Sequence, residues 1–167
     1  MTTRPKQNQT LGVSLVTLLL ACGCALAQTP SQPDLANPPA SRKPAFDSYH
    51  AGPWEQSIGY SQAVRVGSML YVSGTVGADA KGQPADLDGQ MKKAYAGIQK
   101  TLAHYNTDFS HVVMERIYTT DIEALIRSQE TRKQFYGNSA PAATWVEVRR
   151  LYSAADKIEI EVQVALD

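Results

Sequence analysis

Two carboxylates, Glu159 and Glu161, share one side of a stretch whose other side is Ile158, Ile160, Val162, Val164 and Leu166. Alternation of period two sends the apolar set into a core and puts both glutamates on the opposite face of a strand. Such a carboxylate has two readings: a solvated strand face, or a group that holds or activates water beside a bound small molecule. Other chemistries find less material. His50, His104 and His111 fall in a Pro-rich stretch, at a helix end and in a loop before a strand, with no H-x-x-x-H or Cys/His spacing. They read as surface histidines, and no metal site is expected. There is no G-x-S-x-G elbow, phosphate loop or dinucleotide fingerprint, and no histidine is placed to activate a serine.

The elements that must carry these residues begin after Trp54. Ala63 to Val66 and Met69 to Ser73 are short β-rich runs joined by Gly67-Ser68, a hairpin signal. A glycine-rich loop leads to a helix in which Leu87, Met91, Ala94, Ile98 and Leu102 form one apolar stripe, with Asp86 as its cap. A third strand runs from Val112 to Thr120, with Val113, Glu115, Ile117 and Thr119 alternating against Val112, Met114, Arg116 and Tyr118. Asp121 opens a second helix that continues to about Tyr136 and stops at Gly137-Asn138. Thr144 to Val148 and the glutamate-bearing strand complete the order ββαβαββ, an α+β sandwich with helices over one face of a mixed sheet.

The chain has 167 residues, 16 Lys+Arg and 16 Asp+Glu, a length for one domain with a real core. Arg4 and Lys6 are the only charged residues among the first 27, which leaves 14 basic against 16 acidic residues in the remainder. A body of net charge −2 without a basic patch argues against a nucleic-acid partner. The basic start, the apolar run from Leu11 to Ala21 and Ala25-Leu26-Ala27 read as a secretory signal over residues 1–27, the run being too short to span a bilayer. Leu19-Leu20-Ala21-Cys22 also fits a lipobox, so cleavage after Ala27 and lipidation of Cys22 both stand. Either way the body is expected outside the bacterial cytoplasm, periplasmic or lipid-anchored. The cysteines, Cys22 and Cys24, both precede Ala27, so cleavage there leaves no thiol nucleophile. Residues 28–52, rich in proline, read as a tether, and 53–167 as the folded domain.

Within that domain, Gly59-Tyr60-Ser61-Gln62-Ala63-Val64, Gly67, Leu70-Tyr71-Val72-Ser73-Gly74, Gln90, Pro141-Ala142-Ala143-Thr144-Trp145-Val146-Glu147-Val148 and Ile158-Glu159-Ile160-Glu161 resemble the RidA (YjgF/YER057c/L-PSP) family of reactive-intermediate deaminases. The resemblance implies a chorismate-mutase-like fold, a homotrimer and small-molecule clefts between subunits. It also implies hydrolysis of enamine or imine intermediates to a 2-oxo acid and ammonia without metal or cofactor. By position, Tyr60, Ser73 and Glu161 are the expected catalytic residues, with Gly74, Gln129, Ala143, Thr144 and Trp145 the expected ligand contacts.

The sequence departs from that pattern where it matters. The family's Pro-Ala-Arg-Ser is Pro141-Ala142-Ala143-Thr144 here, so the arginine that forks onto the substrate carboxylate is missing. Hydrogen bonds of that charge-assisted kind contribute on the order of 1.5–3 kcal/mol each, so its loss should cost at least about tenfold against small imino acids. Trp145 replaces a common Cys and shares a strand side with Ala143, where it either fills the space or stacks on a flat ligand. Gln129 and Gly97 stand where the family commonly has Asn. Arg127, Arg132, Arg149 and Arg150 are the arginines weighed as substitutes, Arg150 being a usual family arginine. Two functions follow: an exported deaminase-type hydrolase of altered specificity, or a non-catalytic trimer that binds a small apolar or aromatic ligand or a partner protein. The endoribonuclease label attached to some relatives fares worst on charge.

Overall fold

The computed structural model describes residues 45–167; the expected export signal, with Cys22, and most of the expected tether lie outside the described residues. One sheet of six strands runs in the order β1-β2-β3-β6-β4-β5. Its strands are β1 (Asp47–Tyr49), β2 (Ala63–Val66), β3 (Met69–Val76), β4 (Val112–Thr119), β5 (Ala142–Glu147) and β6 (Ile158–Ala165). All neighbours are antiparallel except β4 and β5, which are parallel. Among the described residues four α-helices accompany it: α1 (Pro53–Ser57), α2 (Leu87–His104), α3 (Ile122–Arg127) and α4 (Gln129–Tyr136).

The expected hairpin forms, with Gly67 at φ +59°, a left-handed turn conformation that glycine adopts without steric cost. Asp86 caps α2 by accepting from Gly89 N at 2.8 Å. The apolar stripe of α2, with Met91, Ala94, Tyr95, Ile98 and Leu102 wholly buried, lies against the inward side chains Leu70, Val72, Ile160, Val162 and Val164. Each large apolar side chain so buried contributes about 1.5–3 kcal/mol, enough to fix which face of the sheet looks inward.

Several boundaries differ from the sequence expectation: β3 runs to Val76 and not Ser73, and the short helix α1 precedes β2. Asp47–Tyr49, read as tether, add an edge strand to β2, in register Asp47↔Arg65 and Tyr49↔Ala63. A three-residue edge strand needs no apolar alternation of its own, since its backbone bonds and the Tyr49–His104 ring stack, centroids 4.0 Å apart, hold it. The second helix breaks at Ser128, whose N–H reaches both Ala124 and Leu125 carbonyls. The break lets α4 turn so that Thr131 Oγ1 donates to Asp88 and Arg132 Nε to Glu115. Finally, β5 starts at Ala142 rather than Thr144 because its parallel pairing with β4 begins at Met114↔Ala142.

A slip between Val112 and Met114 in the β4–β6 ladder also changes parity: Val112 is buried and Val113 exposed, the reverse of strict alternation with Glu115. From Met114 onward the alternation holds. Glu115, Ile117 and Thr119 face the helices, and Met114, Arg116 and Tyr118 face away.

Candidate functional site

The face of the sheet opposite the helices carries Glu159, Glu161 and Gln163 from β6, each half-buried. Glu161 sits between two unlike neighbours. On the β4 side it pairs in register with Arg116, whose Nη1 donates to Glu161 Oε1 at 2.6 Å. On the β3 side the ladder slips between Val72↔Val162 and Thr75↔Ile160, so Ser73 and Gly74 together stand opposite Glu161. That is a β-bulge, a device that bends a strand and re-aims its side chains. Tyr71, Ser73, Met114, Arg116, Glu161 and Gln163 line a cavity of about 300 Å³ on this face, the largest share of the expected catalytic set in one place.

Around the bulge several polar groups are tied to the neighbouring loop. Ser73 Oγ donates to Ser61 O at 2.8 Å, and Ser73 N to Gln62 O at 2.9 Å, which ties β3 to the approach of β2. Tyr60 Oη donates to Gly74 O at 3.1 Å, and Trp54 stacks on the Tyr60 ring with centroids 5.9 Å apart. Burial raises the Tyr60 hydroxyl above its usual range, with Glu55 and Glu159 adding to the rise against a bond to Ser73. Tyr60 therefore stays a protonated donor that clamps the bulge, and, contrary to its expected place in the catalytic set, it is not among the residues that line the cavity.

Gly74 is favoured by proximity and not by dihedral angle: a Cβ there would overlap the Glu159 carboxyl, which would have to swing aside. Burial, then the nearby Asp156 and Glu161 charges, pushes the Glu159 carboxyl above the ordinary carboxylate range. The two glutamates thus differ in kind. Glu161 accepts a hydrogen bond from a guanidinium, whereas Glu159 lies near two carboxylates.

The remaining expected contacts divide across the sheet. Thr144 pairs with Arg116 and belongs to the open face. Ala143 pairs with Glu115 and Trp145 with Ile117, which puts both on the helix side of the edge strand. Gln129 opens α4 in the helix layer and is exposed. Trp145 packs against the core and beneath Arg132, whose guanidinium carbon lies 5.7 Å from its ring centroid, and its buried Nε1 has no hydrogen-bond partner. Within one subunit, then, Ala143, Trp145 and Gln129 do not meet Glu161.

Under that edge lies a buried ionic cluster with no trace in any motif. Glu115, fully buried, accepts from Tyr95 Oη and Tyr136 Oη at 2.7 Å each through Oε1 and from Arg132 Nε at 2.6 Å through Oε2. Burial, then the Glu115 charge, pushes both tyrosines far above their usual range, so each remains a donor. Arg132 is thereby committed to the core. Arg149 and Arg150 line a separate hollow with Thr120 and Leu151. Neither therefore supplies the guanidinium beside Glu161; Arg116 does. Strand parity alone already opposes Arg116 to Ile117, so its face was readable, but its neighbour was not.

The family profile described as Endoribonuclease L-PSP matches residues 54–166. Among individual proteins, the chain is 31% identical over 126 residues to protein DfrA of Myxococcus xanthus, covering 72% of this chain and 95% of that one. It is 33% identical over 105 residues to a 2-iminobutanoate/2-iminopropanoate deaminase of Bos taurus, covering 61% of this chain and 76% of the relative. Among solved structures it is similar to a YjgF/YER057c/UK114 family member from Mycobacterium tuberculosis, with TM-score 0.66, 30% identity and coverage of 73% of this chain and 100% of that one.

Proposed function

The chain belongs to the L-PSP (RidA, YjgF) family, and from that membership we propose that it is an exported hydrolase of small reactive imines or enamines, with specificity altered by the loss of arginine at position 143. The observation that carries this reading is Glu161, a carboxylate set between the Ser73–Gly74 bulge and Arg116 at the edge of a cavity of about 300 Å³. Relatives named as iminobutanoate/iminopropanoate deaminases support the reaction class.

The chemistry asks little of the protein. Water oxygen bonds to the electrophilic carbon of C=N, the π pair moves to nitrogen, and Glu161 takes the water proton. Return of that proton to nitrogen gives the carbinolamine; the same carboxylate then passes the carbinol O–H proton to nitrogen, and the oxygen pair forms C=O as the C–N bond breaks, giving a carbonyl compound and ammonia. A positioned carboxylate base contributes about 10²–10⁴-fold in such a step. An enamine enters the same route after proton transfer to its carbon.

The expected ligand contacts on the two sides of the sheet come together only if a second subunit brings its edge strand to this open face. A homotrimer with a small-molecule ligand in the cleft between subunits fits that need. Sedimentation of the full chain as a monomer would remove the shared cleft. The non-catalytic alternative leans on Trp145 as a stacking surface, and the packing of Trp145 on its own core beneath Arg132 weighs against it.

The test is acceleration of hydrolysis of 2-iminopropanoate, and of an uncharged imine of similar size, by the full chain over its Glu161→Ala variant. Loss of acceleration in the variant is expected. Equal rates for both proteins would overturn catalysis.

A further inference from the structure

We propose that Arg116, in place of the arginine missing from position 143, binds the substrate carboxylate in this protein, so that the carboxylate is presented to β4 and not to the β5 edge. The proposal rests on the hydrolase reading above and names the residue that would select its substrate.

Position 143 offers only a methyl group, on the helix side of the sheet, where its cross-strand neighbour Glu115 is already satisfied. The open face instead carries a guanidinium in register with the water-handling carboxylate. Arg116 uses Nη1 for Glu161. Among the described residues its Nη2 and Nε make no hydrogen bond, and the side chain is 39% exposed. A guanidinium has five N–H donors in a planar fork, so one bond to Glu161 leaves an edge able to take a second carboxylate in bidentate fashion. Further donors stand by. The Tyr71 hydroxyl and the Gln163 amide line the same cavity, and among the described residues neither makes a hydrogen bond.

The pair also matches the shape of the substrate. A protonated 2-imino acid is a zwitterion whose iminium nitrogen and carboxylate sit on adjacent carbons. Laid along Arg116 and Glu161, the carboxylate meets the cation and the iminium N–H meets the anion, so each end sees opposite charge. An uncharged imine without the carboxylate gains only the Glu161 contact, and a plain carboxylic acid only the Arg116 contact.

A stable product separates binding from turnover. With the full chain, affinities for 2-oxobutanoate and for its neutral amide are measured by calorimetry, for the unaltered protein and for Arg116→Gln and Arg116→Lys, each checked for unchanged circular dichroism. The acid is expected to bind at least about tenfold more tightly than the amide. That ratio should fall close to one in Arg116→Gln and to an intermediate value in Arg116→Lys, which keeps the charge and loses the fork. A ratio near one in the unaltered protein, or an unchanged ratio in Arg116→Gln, overturns the proposal. Imine hydrolysis that shows no preference for the carboxylate would likewise overturn it while sparing the hydrolase reading. Arg116-dependent binding of 2-oxobutanoate without any imine hydrolysis would overturn the hydrolase reading and leave the carboxylate site standing.

Discussion

Arg116 Nη1 and Glu161 Oε1 lie 2.6 Å apart across the β4–β6 ladder, on the face that the helices leave open. Both side chains are about one-third exposed, at 39% and 32%, so water screens the attraction. A double-mutant cycle with Arg116→Met and Glu161→Gln is expected to give a coupling of only about 0.2–1 kcal/mol in chemical denaturation. A coupling several times larger would make the pair a structural brace, and not chiefly part of a ligand site.

The Glu115 cluster should behave in the opposite way. Glu115 is fully buried and the Arg132 side chain only 12% exposed, so removing the cation strands a charge in the core. Arg132→Met is expected to destabilise the fold by about 3–5 kcal/mol. Tyr95→Phe, which removes one donor to that carboxylate, should cost about 1.5–3 kcal/mol. Urea midpoints close to the unaltered protein for both variants would show that the cluster does not hold the edge of the domain.

Gly74 and Glu159 compete for one space. Gly74→Ala forces the Glu159 carboxyl to move, and because the overlapped atoms belong to one flexible side chain the cost is expected at the low end of overpacking, about 1 kcal/mol. In a Glu159→Ala background the same substitution should cost less than about 0.5 kcal/mol, because the overlapping group is gone. Additive costs would mean that the bulge backbone, and not the Glu159 side chain, excludes a methyl group.

Glu159 also gives a pH signature. Burial, Asp156 and Glu161 raise its folded-state value above the ordinary 4.5, so the native state binds its proton more tightly than the unfolded chain does. Stability from this group is present below the unfolded value and declines as pH rises through the raised folded value. Glu159→Gln should therefore raise Tm at pH 7 and change it little, or lower it, at pH 4. Thermal melts at the two pH values check the sign, and a larger gain at pH 4 would contradict it.

The fold was legible where periodicity and turn chemistry agree. Ile158, Ile160, Val162 and Val164 are buried as their spacing requires. The Gly67 hairpin and the Asp86 cap also form where local chemistry places them. Less legible was Asp47–Tyr49, whose strand exists through a partner, and the break at Ser128, which follows from where Thr131 and Arg132 must reach. Ser73, Gly74 and Glu161, expected at the site by position, are brought side by side by the structure. Tyr60 stands behind them, and Ala143, Trp145 and Gln129 lie on the other side of the sheet.

The sequence by itself determined the faces. Period-two alternation opposes Glu161 to Ile160 and Arg116 to Ile117, and residue identity shows that position 143 has no guanidinium. Which residues face one another was decided only by tertiary structure. Side-chain parity is a local property of the pleat, whereas register depends on slips at Val112–Met114 and Val72–Thr75 and on packing against α2. Arg116 and Glu161 are far apart along the chain, and it is the placing of β6 between β3 and β4 that sets the bulge on one side of Glu161 and a guanidinium on the other.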